Sequence, residues 1–347
     1  MLKVIDLFAG GGGFHIGCKK AGFEIVAFCE KDKYASKLYF EYFQMGKESY
    51  FKDATTINTS KLPDFDILCA GFPCQPFSTA GKRQGFKDTR GTLFFDVARI
   101  LKDRKPKYFI LENVKGLLNH DDGRTFSTII KVLSDIGYQV EWQVLYNLEF
   151  GIPQNRERIF IVGILGGECP GKIFPLGEPG KIYPQSQTDC KKIHNIAQPL
   201  KARDYQSWEG NFVQVVGNVN PSGRGQNGNV YSADGISPTL TTNKGEGIKI
   251  QIYQCPRGKN EGGLKDIAPT ISSSGYEHNN FLVNGNIYRR LTPLECFRLQ
   301  GFPDSIVHKA KEIGISDRQL YKIAGNSVCP LEVEEIALKI KEIENAR

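Results

Sequence analysis

Residues 4–23, VIDLFAGGGGFHIGCKKAGF, run from an apolar strand through four consecutive glycines into an amphipathic helix. No other feature restricts the fold as much. Glycines tolerate positive φ and let a backbone approach a ligand closely, so the chain opens on a strand–turn–helix unit built around a small molecule. The spacing excludes two common ligands. Counted from Gly10, the sixth position of a dinucleotide fingerprint is His15 rather than Gly, which weighs against a Rossmann oxidoreductase. No Gly-Lys-Ser/Thr follows, so a Walker loop also fails. A nucleoside ligand without a phosphate chain is the better fit. Glu30, closing the strand EIVAFCE, sits where a carboxylate accepts bonds from ribose hydroxyls, and Asp53 in FKDAT is placed to hold an adenine amino group.

The same alternation continues through the first half. Strands are predicted at 3–8, 24–30, 65–70, 108–113, 138–147 and 158–164, and helices at 14–21, 33–43, 92–103 and 125–136. Such alternation predicts an α/β fold with a parallel, doubly wound sheet and helices on both faces. After about residue 165 the texture changes. Residues 166–288 hold 18 of the 37 glycines, with short β-like runs and no long helical pattern, which predicts a second, loop- and β-rich domain. ISPTLTTNKG (236–245) and IAPTISSSGY (267–276) echo each other there as two similar strand–turn units. Helical periodicity returns at 292–300 and 331–344.

The nine cysteines form no CxxC pair and no His pairing at metal spacing, which predicts free thiols in a reducing cytoplasm and neither zinc nor disulfides. No apolar stretch approaches the ~20 residues of a membrane span, and MLKVIDLFAG reads as a buried strand rather than a signal peptide. The net charge of +7 is mild, but residues 75–107 carry nine Lys/Arg against three Asp. That segment suits a polyanion; a solvated helix face would account for it equally well from charge alone.

It directly follows Cys74, in GFPCQPFSTAG (71–81). Most free cysteines are buried as small hydrophobes. Cys74 instead lies between Pro73 and a long polar stretch at the end of a predicted strand, where a reactive thiolate would be useful. The length of 75–91, above the ~12–15 residues of passive loops, predicts a loop that closes over substrate.

DLFAGGGG (6–13), GFPCQPFS (71–78), ENV (112–114), QNRERIF (154–160), RRLTPLECFRLQGFP (289–303) and GNSV (325–328) occur in the order found in cytosine-5 DNA methyltransferases, and the chain resembles the bacterial and phage modification enzymes of that family. The resemblance implies S-adenosyl-L-methionine as cofactor, S-adenosyl-L-homocysteine as product and no metal. It implies a Rossmann-like catalytic domain at 1–190 and 305–347, with a target-recognition domain at 191–304. By the family's motifs, Phe8, Ala9, Gly10, Gly11, Gly13, Glu30, Lys31, Asp53, Ala54, Gly71, Pro73, Leu93, Asn326, Ser327 and Val328 would line the cofactor pocket. Lys31 departs from the large apolar residue often found beside the ribose acid. Cys74, Glu112 and Arg158 would be catalytic, with Gln75, Ser78, Asn113 and Arg156 at the substrate.

The chemistry explains those residue types. Cytosine C5 is a poor nucleophile until a thiolate adds at C6 and breaks the ring's aromaticity. A free thiol of pKa ~8.5 is only a few per cent ionised at neutral pH, so a neighbouring cation such as Arg158 helps Cys74. Charge arriving on the ring is relieved at N3, where Glu112 is the expected partner. With an ordinary pKa it would hold a proton in roughly one molecule in 500 at pH 7, so burial would have to raise it. The target carbon lies inside the base stack, so the base must be flipped out. The expected partners are therefore double-stranded DNA and, acting on the same site, a cognate restriction endonuclease; the protein would be a cytoplasmic, nucleoid-associated monomer. Two other readings stay open: cytosine-5 methylation of tRNA, and a DNA-binding regulator on a silent scaffold. A recognition region of over 100 residues favours duplex DNA, and intact Cys74, Glu112 and Arg158 disfavour the silent scaffold.

Overall fold

The computed structural model describes residues 1–73, 93–166, 173–176 and 287–346, together with short segments at 215–218, 229–231, 251–254, 263–265, 267–270 and 280–284. Its centre is a seven-stranded sheet. In chain order the strands and helices of the first half are β1 (Lys3–Leu7), α1 (Gly13–Lys20), β2 (Glu24–Cys29), α2 (Lys33–Phe43), β3 (Tyr50–Phe51), β4 (Ile67–Gly71), α3 (Leu93–Arg104), β5 (Tyr108–Val114), α4 (Arg124–Ile136), β6 (Tyr138–Tyr146), β7 (Gln154–Asn155) and β8 (Glu157–Leu165). The sheet order is β3-β2-β1-β4-β5-β8-β6. Strand order reverses between β1 and β4, which opens a crevice at their carboxyl ends where ligands of such sheets bind.

The six strands read from the sequence all form, within three residues of their expected bounds. One feature departs from expectation. The sheet is mixed, because β8 runs antiparallel to both β5 and β6. β6 and β8 are joined by a short connection, and only an antiparallel return can be made without a crossover helix. The reversal matters, because it delivers the start of β8 to the carboxyl end of β5: Val114 pairs with Arg158 and Glu112 with Phe160.

Both faces of the sheet are covered, so its strands read as continuous apolar runs rather than alternating ones. On one face Val4, Cys69, Ile110 and Phe160 pack with Phe14 and Cys18 of α1 and with Val333, Ile336 and Ile340 of α8 (Pro330–Asn345). On the other, Ile5, Leu68, Phe109 and Leu111 pack with Val97 and Leu101 of α3 and Ile129 and Leu133 of α4. Consecutive residues of each strand thus serve opposite cores, as the two-residue strand period requires.

Past residue 286 the chain forms α5 (Pro293–Arg298), α6 (Asp304–Glu312), α7 (Asp317–Asn326) and then α8. The run RRLTPLE has a local cause. Thr292 and Glu295 form a reciprocal capping box with Pro293 at the first turn, and Arg289 closes on the buried Glu295 carboxylate through two bonds of 2.8 and 2.7 Å. From Leu291 onward, Cys296, Phe297 and Phe302 share one buried cluster with Ile306 and Leu320 and with Leu38 of α2. The stretch that the sequence reading placed at the end of the recognition domain is here packed among elements of the catalytic side. α6 and α7 were not foreseen; α6 buries only Ile306, Val307 and Ala310 among charged neighbours, too thin a stripe to read reliably.

Of the two echoing segments, 236–245 lies outside the described residues. In the other, Ala268–Pro269 pairs in parallel with β7. The remaining short strands include an antiparallel sheet of Gly263–Lys265, Gln251–Gln254, Asn280–Asn284 and Ile287–Arg290, in that spatial order.

Gly163 on β8 faces Phe109 on β5 in register, and a Cβ there would lie 2.0 Å from the Phe109 ring. That ring is itself held edge-on to Tyr138 at 4.9 Å. Gly163→Ala therefore forces a buried aromatic out of place. A loss of about 1–3 kcal/mol is expected in thermal or urea unfolding.

Candidate active site

β1 ends in a turn wound by its own backbone. Phe8 (φ 57°), Gly10 (φ 52°) and Gly12 (φ 81°) all adopt left-handed conformations, and the Gly12 amide donates to the Ala9 carbonyl at 2.8 Å. Glu30, from the end of β2, fastens this turn. One carboxylate oxygen accepts from the Gly10 amide at 2.8 Å and the other from the Asp32 amide at 2.7 Å. Burial raises the Glu30 pKa and these backbone bonds pull it back. Beside it Lys31 reaches Asp53 at 2.7 Å, and Asp53 also accepts from the Thr55 amide and hydroxyl. The hydrogen bond from Lys31 leads in holding the Asp53 carboxyl below its usual range. Lys31 is largely exposed, so the pair organises the rim more than it stabilises the fold.

The far end of the chain closes on the same turn. A Cβ on Gly11 would lie 2.8 Å from the Ser327 hydroxyl, and one on Gly13 would lie 2.2 Å from the Val328 carbonyl oxygen. Only glycine admits this approach. The GNSV segment is pinned in turn: Ser327 donates to the Ile323 carbonyl at 2.8 Å, and the buried Arg156 donates to the carbonyls of Ser327 at 2.7 Å and Gly325 at 3.4 Å. Asn326, at the end of α7, is exposed beside these buried neighbours.

Across the crevice, at the carboxyl end of β5, Glu112 and Arg158 form an ion pair with Nε to Oε1 of 2.9 Å; each side chain is 13% exposed. Burial pushes the Glu112 pKa up, while Arg158 first and Arg156 second pull it down. Glu112 also faces the neighbouring strand, since a Cβ on Gly71 would lie 3.3 Å from its second oxygen. Asn113 points the other way: its amide donates to the Phe72 carbonyl at 2.8 Å and its oxygen accepts from the Val114 amide at 2.8 Å. It therefore fixes the exit of β4, two residues ahead of Cys74.

The sequence pattern of the C-5 cytosine-specific DNA methylases matches residues 2–342. The chain belongs to that family. Among relatives of this methylase, the type II methyltransferase M.NgoBI of Neisseria gonorrhoeae is 39% identical over 334 residues, covering 94% of this chain and 89% of that protein. The orphan methyltransferase M.SPRI of Bacillus phage SPR is 34% identical over 423 residues, covering 96% of each. In fold, the Dnmt2 methyltransferase of S. pombe superposes with a TM-score of 0.61 at 20% identity over 100% of this chain and 99% of that one. Family and fold are those of S-adenosylmethionine-dependent methyltransferases.

The methylase thus brings the expected cofactor residues together along one crevice. Phe8, Ala9 and Gly10 follow β1, Glu30 and Lys31 follow β2, Asp53 and Ala54 follow β3, and Gly71 and Pro73 end β4. Leu93 starts α3, and Asn326, Ser327 and Val328 close from the opposite side. A half-buried acid pair at the β2–β3 end, a glycine turn and an exposed Asn326 fit a zwitterionic nucleoside such as S-adenosylmethionine. No helix among the described residues is long and apolar enough to cross a membrane, and no cluster among them could hold a metal ion.

Two expected substrate contacts sit elsewhere. Arg156 is 2% exposed and its guanidinium is spent on GNSV carbonyls, so its position supports bracing the cofactor side. Asn113 is 3% exposed and bonded to backbone, so its position supports shaping the β4 exit. Cys74, Gln75, Ser78 and the basic residues 82–90 lie outside the described residues. The five described thiols, Cys18, Cys29, Cys69, Cys296 and Cys329, are all buried. Burial raises the pKa of Cys29, Cys69, Cys296 and Cys329, which leaves them poor nucleophiles.

Sequence reading missed Glu332. It sits in the first turn of α8, fully buried, with no hydrogen-bond partner at either oxygen among the described residues. Burial pushes its pKa up to about 8, against the attraction of Arg156. A Glu on an otherwise apolar helix face was the available signal. The native state keeps this proton while the unfolded chain releases it near pH 4.5, so the wild type loses stability as pH rises from there through about 8. Glu332→Gln carries no such proton. Its melting temperature relative to wild type is expected to climb between pH 5 and pH 9, measured by calorimetry at matched ionic strength.

Proposed function

We propose that this protein methylates C5 of a flipped-out cytosine within a specific double-stranded DNA sequence, through a covalent bond between Cys74 and cytosine C6. The Glu112–Arg158 pair is the observation that carries the reading. A buried acid whose pKa burial raises, held by a fixed cation at the carboxyl end of β5, supports a site shared with Cys74, one residue beyond Pro73. A thiolate at Cys74 adds to C6 as Glu112 gives a proton to N3. Once C5 carries the methyl group, loss of the C5 proton to water re-forms the C5–C6 double bond, expels the Cys74 thiolate and returns the N3 proton to Glu112. Arg158 fixes the Glu112 carboxyl in line and supplies positive charge to the thiolate. When bound, S-adenosylmethionine supplies an electrophilic methyl group. Glu30, Asp53 and the Phe8–Gly13 turn would hold its nucleoside, and Asn326 with Val328 its amino-acid end.

The catalytic domain in this reading is 1–190 and 305–347, and 191–304 supplies target recognition. Within that region the base-reading part ends before Leu291, where the chain joins the buried cluster of Ile306 and Leu320. The type II and orphan relatives support a modification enzyme that protects its own DNA, acting in the cytoplasm.

The decisive experiment is methyl transfer from tritiated cofactor to duplex DNA. Cys74→Ala is expected to abolish transfer with cofactor affinity intact, and wild type is expected to form a denaturation-resistant adduct with 5-fluorocytosine DNA. Arg158→Ala is expected to lower kcat by about 100-fold or more, the scale of a lost electrostatic contact in a transition state. Normal turnover by Cys74→Ala, or methylation of tRNA with duplex DNA untouched, would overturn the reading.

A further inference from the structure

Behind the catalytic pair lies a second polar cluster. Asn147, Gln154 and Gln300 are all fully buried. The Gln154 side-chain oxygen accepts from the Gln300 amide at 3.0 Å and from the Asn147 amide at 3.4 Å. The Gln154 amide thus joins Asn147 and Gln300 in one buried hydrogen-bonded chain. Asn147 Oδ1, Gln154 Nε2 and Gln300 Oε1 are left without a partner among the described residues. Three apolar side chains of similar shape would avoid that cost, so fold stability alone does not account for the cluster.

Its location suggests what it is for. Gln154 begins the segment that carries Arg156 and Arg158. The Asn147 amide donates to the Arg156 carbonyl at 3.1 Å and its carbonyl accepts from Ile152 at 3.1 Å, closing the loop that enters this segment. Gln300 arrives from the α5 side, 146 residues away in sequence. On the other edge of the same segment, Ala268–Pro269 pairs with β7, the Ala268 amide donates to the Pro153 carbonyl at 3.3 Å, and the Thr270 hydroxyl donates to the Asn155 carbonyl. The segment leading to Arg158 is therefore held from the catalytic side by buried amides and from the recognition side by a strand pairing.

We propose that Asn147, Gln154 and Gln300 form a clasp that sets Arg158 against Glu112, making Gln300 a positioning residue for methyl transfer. The inference rests on the catalytic reading of Arg158 given above. Without the Gln300 amide, Gln154 loses its anchor to the α5–α7 cluster, and the start of β8 is free to shift. Displacements well under an ångström to an ångström at a charged catalytic contact are costly in rate, whereas substrate affinity need not change.

The test is a double-mutant cycle on the full-length enzyme with duplex DNA. Gln300→Leu is expected to lower kcat about tenfold, with KM for DNA and cofactor within about twofold of wild type. The limb of the pH–rate profile that reports Glu112 should move to higher pH, because Arg158 no longer holds that carboxyl as closely. Since Gln300 acts through Gln154, the variant carrying both Gln154→Leu and Gln300→Leu should be no slower than Gln154→Leu alone. Should Gln300→Leu fail to fold, Gln300→Asn keeps an amide but shortens it, and should move kcat and the pH profile in the same direction by less. A lower melting temperature with unchanged kcat and pH profile, or fully additive losses, would overturn the clasp. Arg158→Ala separates the two ideas. If it is slow while Gln300→Leu is normal, the clasp alone is wrong; if Arg158→Ala is normal, the catalytic reading and the clasp's part in it fall together.

Discussion

The architecture depends on one contact, the closure of the GNSV segment onto the glycine turn. At 2.2 Å from a notional Cβ on Gly13, the Val328 carbonyl leaves room for a hydrogen and nothing larger. The approach makes the first and last thirds of the chain a single wall. It also packs α8 directly on α1, where Gly17 meets the Pro330 carbonyl and Val333. Arg156 holds the arrangement from behind, since a buried guanidinium with carbonyl partners is a costly group to displace. Everything else in the crevice is hung from this closure: the Glu30 bridge to Gly10, the exposed Asn326, and the run from Arg156 to Arg158.

Buried titratable groups beneath the crevice are kept electrically quiet. Tyr39 donates to Asp6 at 3.1 Å and lies 2.9 Å from His15 Nδ1, which stacks on Phe43 at 3.7 Å. Burial drives Asp6 up to about 8 and His15 down to about 3, so both are neutral at pH 7. This buried network of Asp6, Tyr39 and His15 supports the turn from below. Across the crevice Glu112 pairs with Arg158, and burial lowers the pKa of Arg156 to about 9. At Glu112 burial and the two arginines act in opposite directions on the same carboxyl.

Local signals made much of this legible. Strands β1, β2, β4, β5, β6 and β8 and helices α1 to α4 follow from apolar runs and glycine punctuation, because a sheet covered on both faces needs continuous apolar strands. The antiparallel sense of β8 was hidden, since direction is set by which loop can be short and not by the strand's own residues. Motif order named residues that lie at the ends of β1, β2, β3 and β4 and in the GNSV segment. What it could not supply was the side on which a side chain is spent. Arg156 and Arg158 are two residues apart in one motif and look equivalent, yet one is spent on GNSV carbonyls and the other on Glu112. Likewise Asn113, next to Glu112, serves the backbone of Phe72. Gln154 and Gln300 meet across 146 residues, a contact no local pattern announces.

That division between Arg156 and Arg158 has a mechanical consequence. The two cations stand on one short stretch of backbone, with the GNSV carbonyls on one and the Glu112 carboxylate on the other. Any shift of that stretch moves both contacts at once. The antiparallel pairing of β8 with β5 and β6 makes the stretch stiff along its length, since residues 158–164 have a partner on both neighbouring strands and their hydrogen bonds alternate between the two. Freedom is left only before Glu157, where the strand has not yet entered the sheet. The buried amides and the Ala268–Pro269 pairing fall on that interval. A strand whose entry is gripped on one edge by buried amides and on the other by a short parallel pairing couples the Arg158–Glu112 contact to two parts of the chain more than 100 residues away.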